Sequence, residues 1–399
     1  MAAAELFFFF LFAAAAPLSI AAINAALGVL TLFFLARLVR GRWKPGPEAW
    51  LLMAWFGWET VCALASPLGA DALSGVLNFW SWTAFLTATA IAPAVRARLP
   101  RWSLYLAISM ILTLPASLAE FFLGTDIFHH QALTQNVLVG AVNAYGFFSH
   151  HLTYAGSMTV GALFLSAMVL YGERKLWAVR AGAILAGLAG LLMSLARTYV
   201  VGTAAALPVL LWPKGKKRVV QACAAALLLA ALLVTFGPQS IRDRVRAMRD
   251  LKNPSIAERV YLWKAAIDQW KERPLMGWGP GTYEKTAGDY KAPYAKFIQY
   301  PNRPPGFETT GHCHNLYLMV ALQTGLVGLL IFLAFLAAVV RRVLKQEDPV
   351  LKWGVLPALT AFLVGGLFEY NGGDVEVATL MFFLMGLACA PTAGDAPVE

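Results

Sequence analysis

At 399 residues, 59% hydrophobic and only 14% charged, the chain carries too little charge for a soluble domain of its size. Its mean hydropathy of +0.62 excludes a water-soluble enzyme or binding module, and the net charge of +10 then belongs to loops between apolar segments. The sequence reads as an all-α polytopic membrane protein whose solvent is the lipid bilayer, with no nucleic-acid partner.

In chain order, apolar runs of roughly 17 to 25 residues recur, each long enough to cross a hydrocarbon core as helix. The first, from Leu6 to about Leu35, has no basic segment before it and no cleavage-site break, so it is not a removable signal. It exceeds one span and contains Pro17, which divides it into two short helices. Further spans are predicted at 49–65, 72–94, 102–122, 152–171, 176–195, 199–212, 218–237, 314–340, 351–369 and 375–391, about 12 transmembrane helices in all. None of them alternates as a membrane β-strand does. Five short loops hold the basic clusters Arg37–Lys44, Arg96–Arg101, Arg174–Lys175, Lys214–Arg218 and Arg341–Lys345. All five fall on one side of a twelve-span arrangement, which places both termini in the cytoplasm. The expected organisation is residues 1–237 as transmembrane helices 1–9, 238–313 as one large outer loop domain, and 314–399 as helices 10–12 with a short cytoplasmic tail.

The outer loop holds 13 Lys or Arg against 8 Asp or Glu. Loops of that length escape the positive-inside rule, so the excess reflects either an anionic neighbour or an ordinary solvated surface. Within it, "SIRDRVRAMRDLKN" begins with a capping-box pattern, Ser240 with Asp243, and puts Arg242, Arg246 and Arg249 on one helical face. A second box, Ser255 with Glu258, opens a helix whose apolar stripe is Ile256, Val260, Trp263, Ile267 and Trp270. Such a helix lies on the bilayer surface or packs on the bundle, with Arg259 at the edge of the stripe. "GWGPG" then makes a turn.

"HCHNLYLMVALQTGLVG", residues 312–328, crowds its polar side chains before a long apolar helix. Neighbouring residues on a helix diverge by about 100°, and no Asp, Glu or further His lies at a convergent spacing, so no metal site is expected. Positions 314, 318, 321, 325 and 328 share a helical face, where Gly325 and Gly328 let a neighbouring helix approach closely. His314 and Asn315 read either as a cap at the water boundary or as functional groups there. The hairpin "SLART" sets Arg197 at an outer apex, as an anion-binding or a snorkelling arginine. The last hairpin, "FEYNGGDVEVA", brings Glu369, Tyr370, Asn371 and Asp374 to the same face, as turn residues or as contacts to sugar hydroxyls or to the histidine.

The pattern His314, Asn315, nine residues, Gly325, two residues, Gly328 resembles the signature of the O-antigen ligase and O-antigen polymerase family of bacterial membrane glycosyltransferases. Arg197 and Arg259 resemble that family's two outer arginines, and the layout resembles C-type membrane glycosyltransferases with one large periplasmic loop containing short helices. His312 and Cys313 are not part of the pattern, and His150 and His151 have no assigned role. The resemblance implies transfer of a glycan from undecaprenyl diphosphate to the lipid A core oligosaccharide, at the periplasmic face of the bacterial inner membrane, with no cofactor and no metal. It implies that Arg197 and Arg259 clamp the diphosphate and that His314 is the general base of an inverting transfer. Asn315, Tyr199, Asp374, Glu369, Arg242, Arg246 and Arg249 are then candidate acceptor or substrate contacts. An O-antigen polymerase, a protein O-oligosaccharyltransferase of the same family, or a lipid-diphosphate flippase are the alternatives.

Overall fold

The computed structural model describes residues 2–126, 135–136, 141–236, 254–297 and 311–391. It is helical almost throughout: α1 (Ala2–Ala15), α2 (Ile20–Val39), α3 (Pro47–Leu64), α4 (Ala70–Val76), α5 (Thr83–Val95), α6 (Leu99–Leu112), α7 (Leu114–Leu123), α8 (His151–Tyr171), α9 (Trp177–Met193), α10 (Arg197–Leu211) and α11 (Lys216–Phe236). There follow α12 (Pro254–Glu272), the single turns α13 (Tyr283–Thr286) and α14 (Gly288–Lys291), then α15 (Leu316–Leu344), α16 (Pro349–Gly365) and α17 (Val375–Cys389). A two-residue antiparallel ladder, Gln135–Asn136 with Ala141–Val142, is the only sheet among the described residues.

These helices track the expected spans, with the first run divided after Ala15 at "APLS" as Pro17 requires. Two spans are interrupted. The expected 72–94 helix contains a 3-10 stretch, Leu77–Trp82, and the 102–122 helix breaks at Thr113 before Pro115. Four stretches, Ile20–Val39, Ala70–Leu123, His151–Tyr171 and Leu316–Leu344, are long and apolar enough to cross a bilayer, and shorter apolar helices accompany them. Large apolar side chains stand out from the bundle along α2, α9 and α11, including Leu32, Leu185, Leu227 and Phe236, all more than 60% exposed. An apolar perimeter of this kind belongs in hydrocarbon, so the chain is a membrane protein.

The helices α8 and α17 are buried nearly all round, which marks them as the centre of the bundle. Around them α16 packs on α10 and α8, α5 on α17, and α3 on α15. An aromatic column runs through this core. Trp82 stacks on Trp55 at 4.4 Å and on Phe382 at 4.6 Å, and its indole N–H donates to the Gly372 carbonyl at 2.9 Å. Buried indole thereby satisfies its polar edge and holds the α16–α17 hairpin in place.

The bundle has two chemically different ends. At one, Arg96 donates to the carbonyls of Leu387 and Ala390, and Arg342 to that of Cys389, so cations meet the carbonyl end of α17. The other end carries the start of α15 and the α16–α17 hairpin.

The long helix α15 departs from expectation. Gly325 has φ +67° and ψ −172°, which breaks the helix inside its apolar run. The carbonyls freed by the break are taken by the loop after α12: Trp278 N–H donates to Leu322 O at 2.7 Å and Gly279 N–H to Gln323 O at 3.0 Å. Leu326 N–H donates to Pro274 O at 2.7 Å, and the Trp58 indole to Thr324 O at 2.8 Å. A Cβ at Gly325 would collide with the Leu275–Met276 backbone. This glycine therefore admits a loop rather than a neighbouring helix, correcting the sequence reading. Gly328 does face another helix, with Trp58 of α3 against it at 3.0 Å from an added Cβ.

Helix α12 also turns differently from its pattern. It begins at Pro254, one residue ahead of the expected cap at Ser255, and the face it buries is Leu262, Ala265, Ala266 and Gln269. Leu262 and Ala266 pack with Met319 and Leu322 of α15. Val260 and Ile267 of the expected stripe are 37% and 40% exposed. The small alanines permit the close approach to α15 that the bulkier stripe would prevent. Arg242, Arg246 and Arg249 lie outside the described residues.

Candidate functional site

The last turn of a helix leaves carbonyls without intrahelical partners, and the site is assembled on one such end. Gly366 to Glu369 follow α16 and are engaged one after another. Leu316 N–H donates to Gly366 O at 2.7 Å. The Asn315 side-chain amide donates to Leu367 O at 2.9 Å. Arg259 Nε donates to Phe368 O at 3.1 Å. The Glu369 carboxylate meets His314 Nδ1 at 2.9 and 3.0 Å. Two distant pieces of sequence, the α12 arginine and the start of α15, thus converge on four residues of the last hairpin.

Asn315 is the N-cap of α15, its side-chain oxygen accepting from Leu318 N–H at 2.9 Å. Its Ala variant would forfeit about 1 kcal/mol of capping alone. His314 precedes the helix and has φ +50°, a left-handed conformation that costs a non-glycine residue about 1–2 kcal/mol. A residue held there only for capping has no need of such strain, because Asn315 already does the capping.

Glu369 is 2% exposed. Burial alone would push its carboxyl up, but His314, His312 and Arg259 override that and hold it well below the ordinary carboxylate range. It is therefore an anion, and His314 Nδ1 is the donor toward it, which leaves Nε2 as the basic nitrogen. Arg259 reaches the same carboxylate at 3.8 Å. Arg197 begins α10 and interacts electrostatically with Arg259, so both expected arginines stand at this end with the histidine.

Other candidates are placed differently. Tyr199, 1% exposed, is packed against Gly156 and Gly365 inside the bundle, away from any open surface. Asp374 is the N-cap residue of α17 in the same hairpin as Glu369. Asn371 is buried and donates to Phe362 O at 2.7 Å, locking the hairpin. Cys313 is fully buried beside Met319, Leu262 and Tyr283, a packing residue.

Two histidines without an assigned role join the cluster. The His312 ring lies 4.4 Å from that of His314 and 5.8 Å from that of Tyr370. Burial lowers its imidazole to about 4, with Glu369 pulling the other way. His150, the N-cap of α8, is also shifted down by burial, with Glu369 raising it and His314 lowering it. Nothing in the local sequence of "FSHHLTY" signals that proximity.

Ligating atoms of His312, His314 and Glu369 lie within 4.8 Å of one another. Two imidazoles and a carboxylate suit zinc. Local spacing around "HCH" contains no third donor, but the fold supplies one from 55 residues along the chain. The Arg259 guanidinium on the same carboxylate opposes a cation there.

Residues 181–333 match the family model described as O-antigen ligase. The matched stretch contains Arg197, Arg259, His314, Gly325 and Gly328, and it ends before Glu369. A Rickettsia conorii (strain ATCC VR-613 / Malish 7) protein, named provisionally as a polysaccharide ligase, is similar at 25% identity over 148 residues. That match covers 37% of this chain and 33% of the relative, so it spans about a third of the relative's length. The family resemblance read from the His314 motif is borne out by these matches.

Proposed function

We propose, for a chain whose residues 181–333 match the O-antigen ligase family model, that it transfers a glycan from undecaprenyl diphosphate to a hydroxyl of the lipid A core oligosaccharide. The single observation that carries the chemistry is the buried contact between His314 Nδ1 and the ionised Glu369 carboxylate, beside Arg259.

That contact orients the imidazole so that Nε2 accepts the proton of the acceptor hydroxyl as its oxygen attacks the anomeric carbon. The bond from the anomeric carbon to the diphosphate oxygen breaks, and the lipid diphosphate leaves with the electron pair. Arg197 and Arg259 pair with its phosphate oxygens; a guanidinium keeps its charge in a low-dielectric site and matches phosphate bidentately. One displacement inverts the anomeric centre. The chain's own cations stabilise the leaving group, so the reaction proceeds without metal or other cofactor. The site faces the periplasm across the bacterial inner membrane, with both termini and the basic end of the bundle in the cytoplasm.

The test is transfer by purified protein from a glycan-loaded undecaprenyl diphosphate to lipid A core, with and without chelator. His314→Ala, Arg197→Ala and Arg259→Ala each abolish transfer while leaving a folded protein. Full transfer by His314→Ala overturns the base assignment. Carrier-linked glycan that elongates without reaching the core identifies a polymerase of the same family.

A further inference from the structure

Beside the reacting groups lies a cavity of about 360 Å³ between the 3-10 stretch Leu77–Trp82, the start of α13, α15 and Tyr370. Tyr370 is the residue after Glu369, and its ring faces that of His312. Tyr370 therefore links the cavity to the His312–His314 pair, whereas Arg259 approaches Glu369 from α12.

Its lining has a definite chemistry. Tyr283 is 3% exposed, and its buried hydroxyl has no hydrogen-bond partner among the described residues. Gln323 is 4% exposed; its side-chain oxygen accepts from the Tyr370 hydroxyl at 3.4 Å, and no hydrogen bond engages its amide nitrogen among the described residues. Buried polar groups in native proteins are paired, so an amide nitrogen left unengaged beside a cavity points to an occupant that supplies a partner; the Tyr283 hydroxyl is sealed from that space, and the residue lines it through its other atoms. Trp80, Tyr283 and Tyr370 add aromatic rings, and Asn78 a second amide. Glu284 is the one charged side chain of the lining, and no cation lines it among the described residues. An anionic headgroup therefore has no counter-charge here, and a hydrocarbon chain would leave the amides unpaired.

We propose that this cavity is the acceptor subsite, holding a neutral sugar ring of the acceptor oligosaccharide beside His314; the proposal rests on the transfer reaction above. Sugar hydroxyls both donate and accept, which meets the amides of Gln323 and Asn78, and ring C–H faces lie against aromatic side chains. The volume is at the small end of ligand pockets, suited to one or two rings rather than a chain.

The variants Asn78→Leu and Gln323→Leu each remove an amide while keeping the side chain's size. A neutral hydrogen bond contributes about 0.5–1.5 kcal/mol, and at about 1.4 kcal/mol per tenfold the expected acceptor KM rises about twofold to twelvefold in each, with donor KM and kcat at saturating acceptor unchanged. A core lipid truncated by its terminal sugars raises the wild-type KM similarly and adds little further in the variants. Calorimetric titration with free core oligosaccharide reads the same loss of affinity without turnover. A protein that binds the oligosaccharide but transfers nothing refutes the reaction and keeps the subsite. Unchanged acceptor affinity in both variants, or a penalty confined to donor KM, overturns the subsite while leaving the reaction standing.

Discussion

Replacing Glu369 by glutamine is the sharpest perturbation of the proposed chemistry, because it keeps the volume and removes one charge. In the native protein the carboxylate sits 2.9 Å from His314 Nδ1 and 3.8 Å from Arg259, with 2% of its surface exposed. Glutamine still reaches the imidazole, but its amide can donate as well as accept, so the ring loses the fixed tautomer that keeps Nε2 basic. It also loses the anion that balances the imidazolium formed as the acceptor proton transfers. A charge-assisted hydrogen bond contributes about 1.5–3 kcal/mol beyond its replacement by water. At roughly 1.4 kcal/mol per tenfold, the expected fall in kcat is about 10- to 150-fold. Donor KM should hold or fall, because Arg259 no longer shares its charge with a carboxylate. Initial rates of glycan transfer at varied donor, with saturating acceptor, separate the two. An unchanged kcat, or a loss wholly in donor KM, would refute the role of the dyad.

Three further outcomes follow from the geometry. Gly325→Ala meets both an unfavourable φ, at about 1 kcal/mol or more, and the Leu275–Met276 backbone; thermal unfolding in detergent should show a much larger loss than for Gly328→Ala, whose neighbours are side chains. His312 is held near 4 in the folded state against an ordinary value of 6.5, so the unfolded chain binds the extra proton between those values. Stability should therefore fall as pH drops from about 6.5 to 4, and His312→Asn should flatten that slope in a pH series of unfolding midpoints. Added zinc at micromolar levels should inhibit transfer by bridging His312, His314 and Glu369, and His312→Ala should relieve the inhibition; equal sensitivity of both proteins would exclude the bridge.

Much of the helical plan was legible because apolar length and proline report directly on helix extent. Pro17 marked the first break, and the spans from 152 onward emerge as helices within a few residues of their expected ends. Arg197 and His314 drew notice through local pattern, each at the end of an apolar run where a polar group needs a reason, and Arg259 through its place at the edge of the apolar stripe of α12. What stayed hidden was long-range. Glu369 read either as a turn residue or as a contact to sugar hydroxyls or the histidine, and only the fold sets it against His314, 55 residues away. The face of α12 was misread because bulky side chains made the more obvious stripe, while close approach to α15 favours Ala265 and Ala266. Gly325 showed itself as small but not as left-handed, since a backbone angle leaves no trace in composition. Gln323 did offer a signal that went unused: it is the lone amide within the apolar run of α15, and a polar group in such a run is expensive without a purpose.

The docking of two segments, the α12 arginine and the start of α15, onto Gly366–Glu369 has a mechanical consequence. The proposed base, His314, and the proposed phosphate-binding arginine, Arg259, reference adjacent points of one short rail at the end of α16, rather than each other. A tilt or slide of that helix in a bilayer of different thickness is then a common-mode displacement: both groups travel together and their separation is preserved. Only a bend within the rail alters the spacing, and Asn371, tied back to Phe362, braces the hairpin beside it. The membrane can deform the bundle while the gauge between proton acceptor and leaving group stays set.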